Sequence, residues 1–170
     1  MKGGDDCVSS FLIMNNPEQT KIDNLVRHID HVRNNCLLLG ERLIGLKNPI
    51  GRMLIANGFI HDNSKFYGIE WEHLTDASGD PTLMKLAIHH HNITNPHHPE
   101  YWGTIDQMPQ LYLCEAVCDW AARASEFGTS LQQWIDVGAA EKFDYKVNSE
   151  IYCKIMYFSG LLLDKPFKPL

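Results

Sequence analysis

Apolar side chains recur at three- and four-residue intervals along most of this chain, the spacing that lines one face of an α-helix. From residue 22 the series runs Ile22, Leu25, Val26, Ile29, Val32 and Cys36, behind Asn16-Pro17-Glu18, an N-cap followed by Pro at the first helical position. This predicts one amphipathic helix to about Gly40 or Gly45. Asn48-Pro49 restarts the pattern, and Ile50, Met53, Leu54, Ile55 and Phe59 predict a buried second helix running into His61-Asp62. The polar segment Asp76 to Asp80 breaks the chain. Asp80-Pro81 then opens a third helix through Leu83, Met84, Leu86, Ala87 and Ile88 into His89-His90-His91. Residues 92–107 hold Pro96, Pro99 and Gly103 without periodicity and predict a loop of the functional kind. Met108-Pro109 opens a helix to about Phe127-Gly128, Thr129-Ser130 caps another to about Ala140, and Asn148-Ser149 leads a last one through Ile151, Ile155, Met156 and Leu161. There are no repeats and no hairpin signals. The expectation is one all-α domain over 1–170, a bundle of six or seven helices with a core at about 17–128 and C-terminal helices over 129–163 packed on it.

Charge narrows the partners. The chain has 170 residues and a formal net charge of −6, and its longest basic cluster is Lys165 with Lys168. Binding a nucleic-acid backbone needs a concentrated Lys/Arg footprint, so a nucleic-acid polymer is not the expected partner. A small anionic substrate stays open, because a bound metal ion can supply local positive charge. The longest apolar runs, such as Gly160-Leu161-Leu162-Leu163, are too short to span a membrane, and Met1 to Asp6 carries no apolar leader. The expected location is the cytoplasm. Cys7, Cys36, Cys114, Cys118 and Cys153 form no CxxC pair and are odd in number, which reads as free thiols in a reducing compartment.

Histidine is oversupplied: of nine in the chain, seven fall between residues 61 and 98. It is the commonest metal ligand. Adjacent His61 and Asp62 can both ligate one cation, through nitrogen and oxygen. On the first helix, at about 100° per residue, His28 lies about 80° from the apolar centre and His31 about 140°. His28 is therefore at the edge of the buried face and His31 toward solvent. Glu115 and Asp119 lie one turn apart on the helix opened by Pro109. Asp119, between Cys118 and Trp120, is costly to bury unless it is ion-paired, caps a helix or binds a metal. Lys65, one turn past Asp62, can point toward whatever a metal holds or make a helix-end ion pair. His89, His90 and His91 cannot share one site, being about 100° apart on a helix. His97 and His98 are held between two prolines. They could complete a second metal site with His91, donate to a phosphate, or order the loop. Tyr101 and Trp102 suit base stacking or loop anchoring, Trp120 suits the core, and His73, Cys114 and Cys118 have no expected function.

The order His, His-Asp about 30 residues on, then Asp about 60 residues further resembles the HD superfamily of all-helical metal-dependent phosphohydrolases, over roughly residues 20 to 125. The runs HIDHV (28–32), HDNSKF (61–66), HNITNPHHPEYW (91–102) and EAVCDW (115–120) are similar to a small, poorly characterised branch of it from phages and bacteria. The resemblance implies that His28, His61, Asp62 and Asp119 hold a divalent transition metal (Mn, Fe, Co, Ni or Zn), with His91 available to a second. It further implies hydrolysis of a phosphate ester, most simply a nucleotide or small phosphorylated metabolite, by metal-activated water in a bacterial or phage-infected cell. Lys65 matches the HD-x-x-K run of HD-GYP phosphodiesterases and of the superfamily's diiron oxygenases, implying a substrate-anion contact. Lys65 with His97 or His98 would then neutralise phosphoryl charge, and Glu115 would brace a ligand or accept a proton. Two other readings follow from the same pattern, a diiron oxygenase using six protein ligands and a non-catalytic nucleotide-binding module. The segment Phe158 to Leu170 suits core packing or an oligomer contact, and the resemblance leans toward a homo-oligomer.

Overall fold

The computed structural model describes residues 17–74 and 79–165. The N-cap at Asn16, the readings of Met1 to Asp6 and Cys7, the break at Asp76 and the basic Lys168 lie outside the described residues. The chain folds as α1 (Pro17–Gly45), α2 (Ile50–Ile60), α3 (Gly68–His73), α4 (Pro81–Thr94), α5 (Gln110–Phe127), α6 (Leu131–Gln133), α7 (Ala139–Phe143) and α8 (Glu150–Leu163). A π-helical turn, Trp134–Gly138, joins α6 and α7 without a break, so the described residues form seven helical segments and no strand. The all-α expectation is met. No helix of the described residues is long and apolar enough to cross a membrane.

Helix α1 buries one continuous row, Leu25, His28, Val32, Cys36, Leu39 and Leu43. That row meets the inner face of α5 (Leu113, Cys114, Val117, Cys118), and α8 closes the core with Ile151, Ile155, Phe158 and Leu162. Each such side chain contributes roughly 1.5–3 kcal/mol when fully buried. Local chemistry sets the helix ends. Asp80 Oδ1 accepts from Thr82 N–H, Ser130 Oγ from Gln133 N–H and Ser149 Oγ from Tyr152 N–H, all N-caps. Gly128, at φ +63°, terminates α5 in the left-handed conformation.

Helices α1 and α2 approach through glycine. A Cβ on Gly51 would stand 2.5 Å from the Gly40 carbonyl oxygen, and one on Gly58 would stand 2.7 Å from Cys36 Cβ. This close contact reverses part of the expected burial. Gly51, Leu54 and Gly58 face inward, leaving Met53 (55 % exposed) and Phe59 (66 %) outside. In α4, Leu83, Leu86 and Ile88 are also exposed, and only Ala87 and His91 are buried. That helix packs on α3 and on the short turn Pro99–Trp102 rather than on the apolar core.

Three further expectations are corrected. Helix α4 continues through Thr94, and the rest of the expected loop contains two 3-10 turns, Pro99–Trp102 and Ile105–Gln107. The helix from Ser130 runs past Ala140 to Phe143, because the π turn at 134–138 carries it on. Helix α3 was not anticipated, since six residues are too few to show a period. Trp102 is a loop anchor: its Nε1 donates to the Pro96 carbonyl at 2.8 Å and its ring lies 5.5 Å from Tyr112.

Candidate metal centre

The bodies of two helices, the ends of two more and one loop deliver the centre. His28 comes from the buried row of α1 and Asp119 from α5. Helix α2 stops at His61, and Asp62 adopts the left-handed conformation (φ +55°) before the 3-10 turn Asn63–Phe66. Aspartate tolerates that region better than most residues. The sharp turn lets consecutive side chains converge, with His61 Nε2 3.5 Å from Asp62 Oδ2. His91 sits in the last turn of α4, and His97 and His98 follow in the loop.

Asp62 is the hub. Its Oδ2 lies 3.3 Å from His28 Nε2, which is itself 3.3 Å from Asp119 Oδ1. Its Oδ1 lies 3.3 Å from His91 Nε2 and 3.3 Å from His97 Nε2. The His98 ring stands 4.3 Å from that of His97 and 4.7 Å from that of His91. Nine buried side-chain nitrogen and oxygen atoms have no hydrogen-bond partner among the described residues. Seven of them are here: Nε2 of His28, His61, His91, His97 and His98, with Asp62 Oδ1 and Asp119 Oδ1. Buried polar atoms are rarely left unpartnered, so seven aimed at one place mark a site for something that accepts their lone pairs. His28, His61 and Asp62 can bring donor atoms within 4.8 Å of one another, and so can His91, His97 and His98. These groups could hold a metal ion.

Behind the ligand edges stands a ring of carboxylates. His28 Nδ1 donates to Glu126 Oε1 at 3.0 Å, His61 Nδ1 to Glu115 Oε1 at 3.0 Å and His91 Nδ1 to Glu70 Oε2 at 2.7 Å. His97 Nδ1 lies 3.6 Å from Glu115 Oε1. Fixing the proton on Nδ1 leaves Nε2 as the free donor facing inward, the arrangement that orients metal-binding imidazoles. Asn57 Nδ2 donates to Glu115 Oε2 at 2.8 Å, and Ser64 Oγ donates to Glu70 Oε2 at 2.8 Å.

This arrangement draws positive charge. Burial pushes His28 down, but the carboxylates of Asp119 and Asp62 overcome it and hold the ring up at about 9. His61 is raised for the same reason: burial works against it, and Asp62, Glu115 and Asp119 outweigh burial. Burial pushes Asp62 up, yet His61 and Lys65 hold it well below the usual carboxylate range, and Asp119 is lowered mainly by His28 and His61 against its own burial. His98 is pushed down to about 2 by burial and by His97 and His91, which keeps it neutral, the ligating form.

All five expected metal ligands, His28, His61, Asp62, His91 and Asp119, meet here, and His97 and His98 join them as ligand-type groups. Lys65 is buried, ion-pairs with Asp62 Oδ2 and lines the adjoining cavity. Glu115 lies behind His61 as its brace and does not line that cavity. His31 is half-exposed on Glu126, His89 is exposed, and His90 is exposed with its Nδ1 2.9 Å from Glu70 Oε1. Cys36, Cys114, Cys118 and Cys153 are free thiols. Glu70 and Glu126 escaped the sequence reading. Glu126 had a signal, since it lies two turns after Asp119 on the same face of α5. Glu70, between Ile69 and Trp71, had only its apolar neighbours.

A family model described as a family of unknown function (DUF5662) matches residues 17–158, and the chain belongs to that family. No curated protein and no solved structure matches it.

Proposed function

We propose that this DUF5662 member is a hydrolase of small phosphate esters that works with two divalent ions sharing Asp62. The observation that carries this reading is the number of unpartnered donors, seven and more than one ion needs, gathered at one place with neighbours on both oxygens of Asp62. His28, His61, Asp62 and Asp119 would hold one ion, and Asp62, His91, His97 and His98 the other. The resemblance to HD-superfamily motifs supports the first set independently. Such ions, when bound, lower the pKa of a water molecule and polarise phosphoryl oxygens. The remaining work belongs to the chain. Glu126, Glu115 and Glu70 engage Nδ1 of His28, His61 and His91, so Nε2 of each is the nitrogen turned toward the ions. Lys65, at the cavity wall beside Asp62, is placed to offset charge that grows on phosphoryl oxygens. The cavity encloses about 480 Å³ and is also lined by Lys21 and Arg123, cations that suit an anionic substrate.

The first test is elemental analysis of protein purified without chelator or histidine tag, beside Asp62→Ala and Asp119→Ala. The result expected is two Mn, Fe, Co, Ni or Zn per chain, lost in Asp62→Ala, and phosphate release from a panel of nucleotides and sugar phosphates by the loaded protein. Full metal content and full activity in Asp119→Ala would overturn the assignment. The diiron oxygenase is the second reading, favoured by the number of donors, which exceeds what one ion needs. Two irons per chain with oxygen consumption and no phosphate release would establish it instead.

A further inference from the structure

We propose that Lys21 and Arg123 form a second anion-binding point on the wall of the metal cavity, so that the substrate is a phosphate ester carrying a second anionic group. This rests on the hydrolase reading and names its substrate class.

Helices α1 and α5 run antiparallel past each other here. His28 meets Asp119 and Glu126, whereas Asn35, further along α1, donates from Nδ2 to the Cys118 carbonyl. Going back along α1 and forward along α5 therefore leads the same way, outward from the ligands. Lys21 lies seven residues before His28, two turns and about 10 Å along the axis on the same face. Arg123 lies one turn beyond Asp119. Both line the cavity that His28, His91, His98 and Asp119 also line. Its volume of about 480 Å³ falls within the roughly 300–1,000 Å³ of sites that enclose a whole small ligand.

Lys21 is held in place, and Arg123 is tethered by one contact. The Lys21 ammonium is half-buried, donates to the Trp71 carbonyl and lies 4.2 Å over the Trp71 ring. Among the described residues no carboxylate pairs with it. Arg123 Nη1 lies 3.3 Å from Glu126 Oε2, while the other oxygen of Glu126 serves His28 and His31. That single contact leaves most of the guanidinium's five N–H donors available. The rest of the lining is mostly apolar, Leu25, Leu74 and Ile88 with Asn24 and the centre's own Lys65. In a chain of net charge −6, an ammonium and a guanidinium on one cavity wall select for an anion at that distance from the centre. The fit is a molecule with a phosphate at the metals, an uncharged body, and a second anion at Lys21 and Arg123.

The test uses non-hydrolysable probes and reads binding, not turnover. Mn-loaded protein is titrated by calorimetry with hexylphosphonate, hexane-1,6-bisphosphonate and 6-phosphonohexanoate, for wild type, Lys21→Arg and the double variant Lys21→Met/Arg123→Met. The expected result is at least tenfold tighter binding of the bisphosphonate than of the monophosphonate in wild type. The gap should fall below threefold in the double variant and survive in Lys21→Arg, with unchanged metal content and monophosphonate affinity. The same gap with the phosphonocarboxylate supports a site for either anion; a gap with the bisphosphonate alone supports a second phosphate. If hexylphosphonate binds but the second anion adds less than threefold, or the gap persists in the double variant, the subsite is refuted and the hydrolase reading stands. If neither phosphonate binds the loaded protein, both fail.

Discussion

Glu70→Gln isolates what a bracing carboxylate does for this centre. Glu70 is 1 % exposed and serves three partners: Oε2 accepts from His91 Nδ1 at 2.7 Å and from Ser64 Oγ at 2.8 Å, and Oε1 takes His90 Nδ1 at 2.9 Å. Glutamine keeps the shape and one acceptor but removes the charge. A hydrogen bond to a charged group is worth about 1.5–3 kcal/mol and a neutral one about 0.5–1.5, so the His91 brace weakens by roughly 1–2 kcal/mol. At about 1.4 kcal/mol per tenfold, that is about 5- to 30-fold in affinity, close to the range found for partners of metal-binding histidines. The loss should fall on one ion only, because Glu70 touches neither His28, His61 nor Asp119. Equilibrium dialysis at fixed free metal, followed by elemental analysis, measures it, with circular dichroism confirming the fold. Glu70→Gln should release one ion at 5- to 30-fold higher free metal than wild type and retain the other. Glu126→Gln, behind His28, should do the same to the opposite ion. Equal loss of both ions in Glu70→Gln, or no loss, would refute the division of the centre around Asp62.

Other consequences are as direct. Gly51→Ala places a methyl 2.5 Å from the Gly40 carbonyl oxygen, where only backbone can yield, and should cost about 1–3 kcal/mol in urea unfolding; an unchanged midpoint would remove the close α1–α2 contact from the argument. Stripping metal with dipicolinate should lower Tm, since saturation at a hundredfold above Kd stabilises by about 2.7 kcal/mol, and a calorimetric Tm indifferent to chelation would mean no ion binds the folded state. Burial pushes up the thiols of Cys114 and Cys118 and, with Asp136 nearby, the Tyr145 hydroxyl. The unfolded chain loses these protons first as pH rises, so the thiols' contribution is complete below about pH 8.5 and the hydroxyl's below about pH 10, and each is lost above that by up to about 1.4 kcal/mol per pH unit. Urea midpoints at pH 7.5, 9 and 10.5 should fall in that order. Tyr145→Phe, which removes a 2.6 Å hydrogen bond to the Ile135 carbonyl, should cost about 1 kcal/mol at neutral pH and flatten the alkaline limb.

The parts of this centre that the sequence made legible are those set by local context. His28 could be chosen over His31 because a helix has one buried face, and the structure buries His28 and leaves His31 half-exposed. His61-Asp62 and Asp119 were candidates on local grounds, as adjacent ligand types and as a carboxylate in an apolar run, and the resemblance to HD-superfamily motifs put them in one set. Which apolar face turned inward was not legible in α2 or α4, since both faces carry large side chains. A glycine contact decided it in α2, and in α4 the inner face met the polar centre through His91 rather than an apolar layer. The braces lay further out of reach. His61 and Glu115 are 54 residues apart, His28 and Glu126 are 98 apart, and Glu70 sits on a six-residue helix with no period to read. Those long-range pairs fix which nitrogen of each imidazole faces a bracing carboxylate, and so leave Nε2 as the nitrogen turned toward Asp62. The candidate ligands were thus legible in the sequence and their bracing is tertiary. A variant that keeps every ligand but unpacks α3 from α4 should therefore weaken the ion at His91 as Glu70→Gln does, because Glu70 reaches His91 only through that contact.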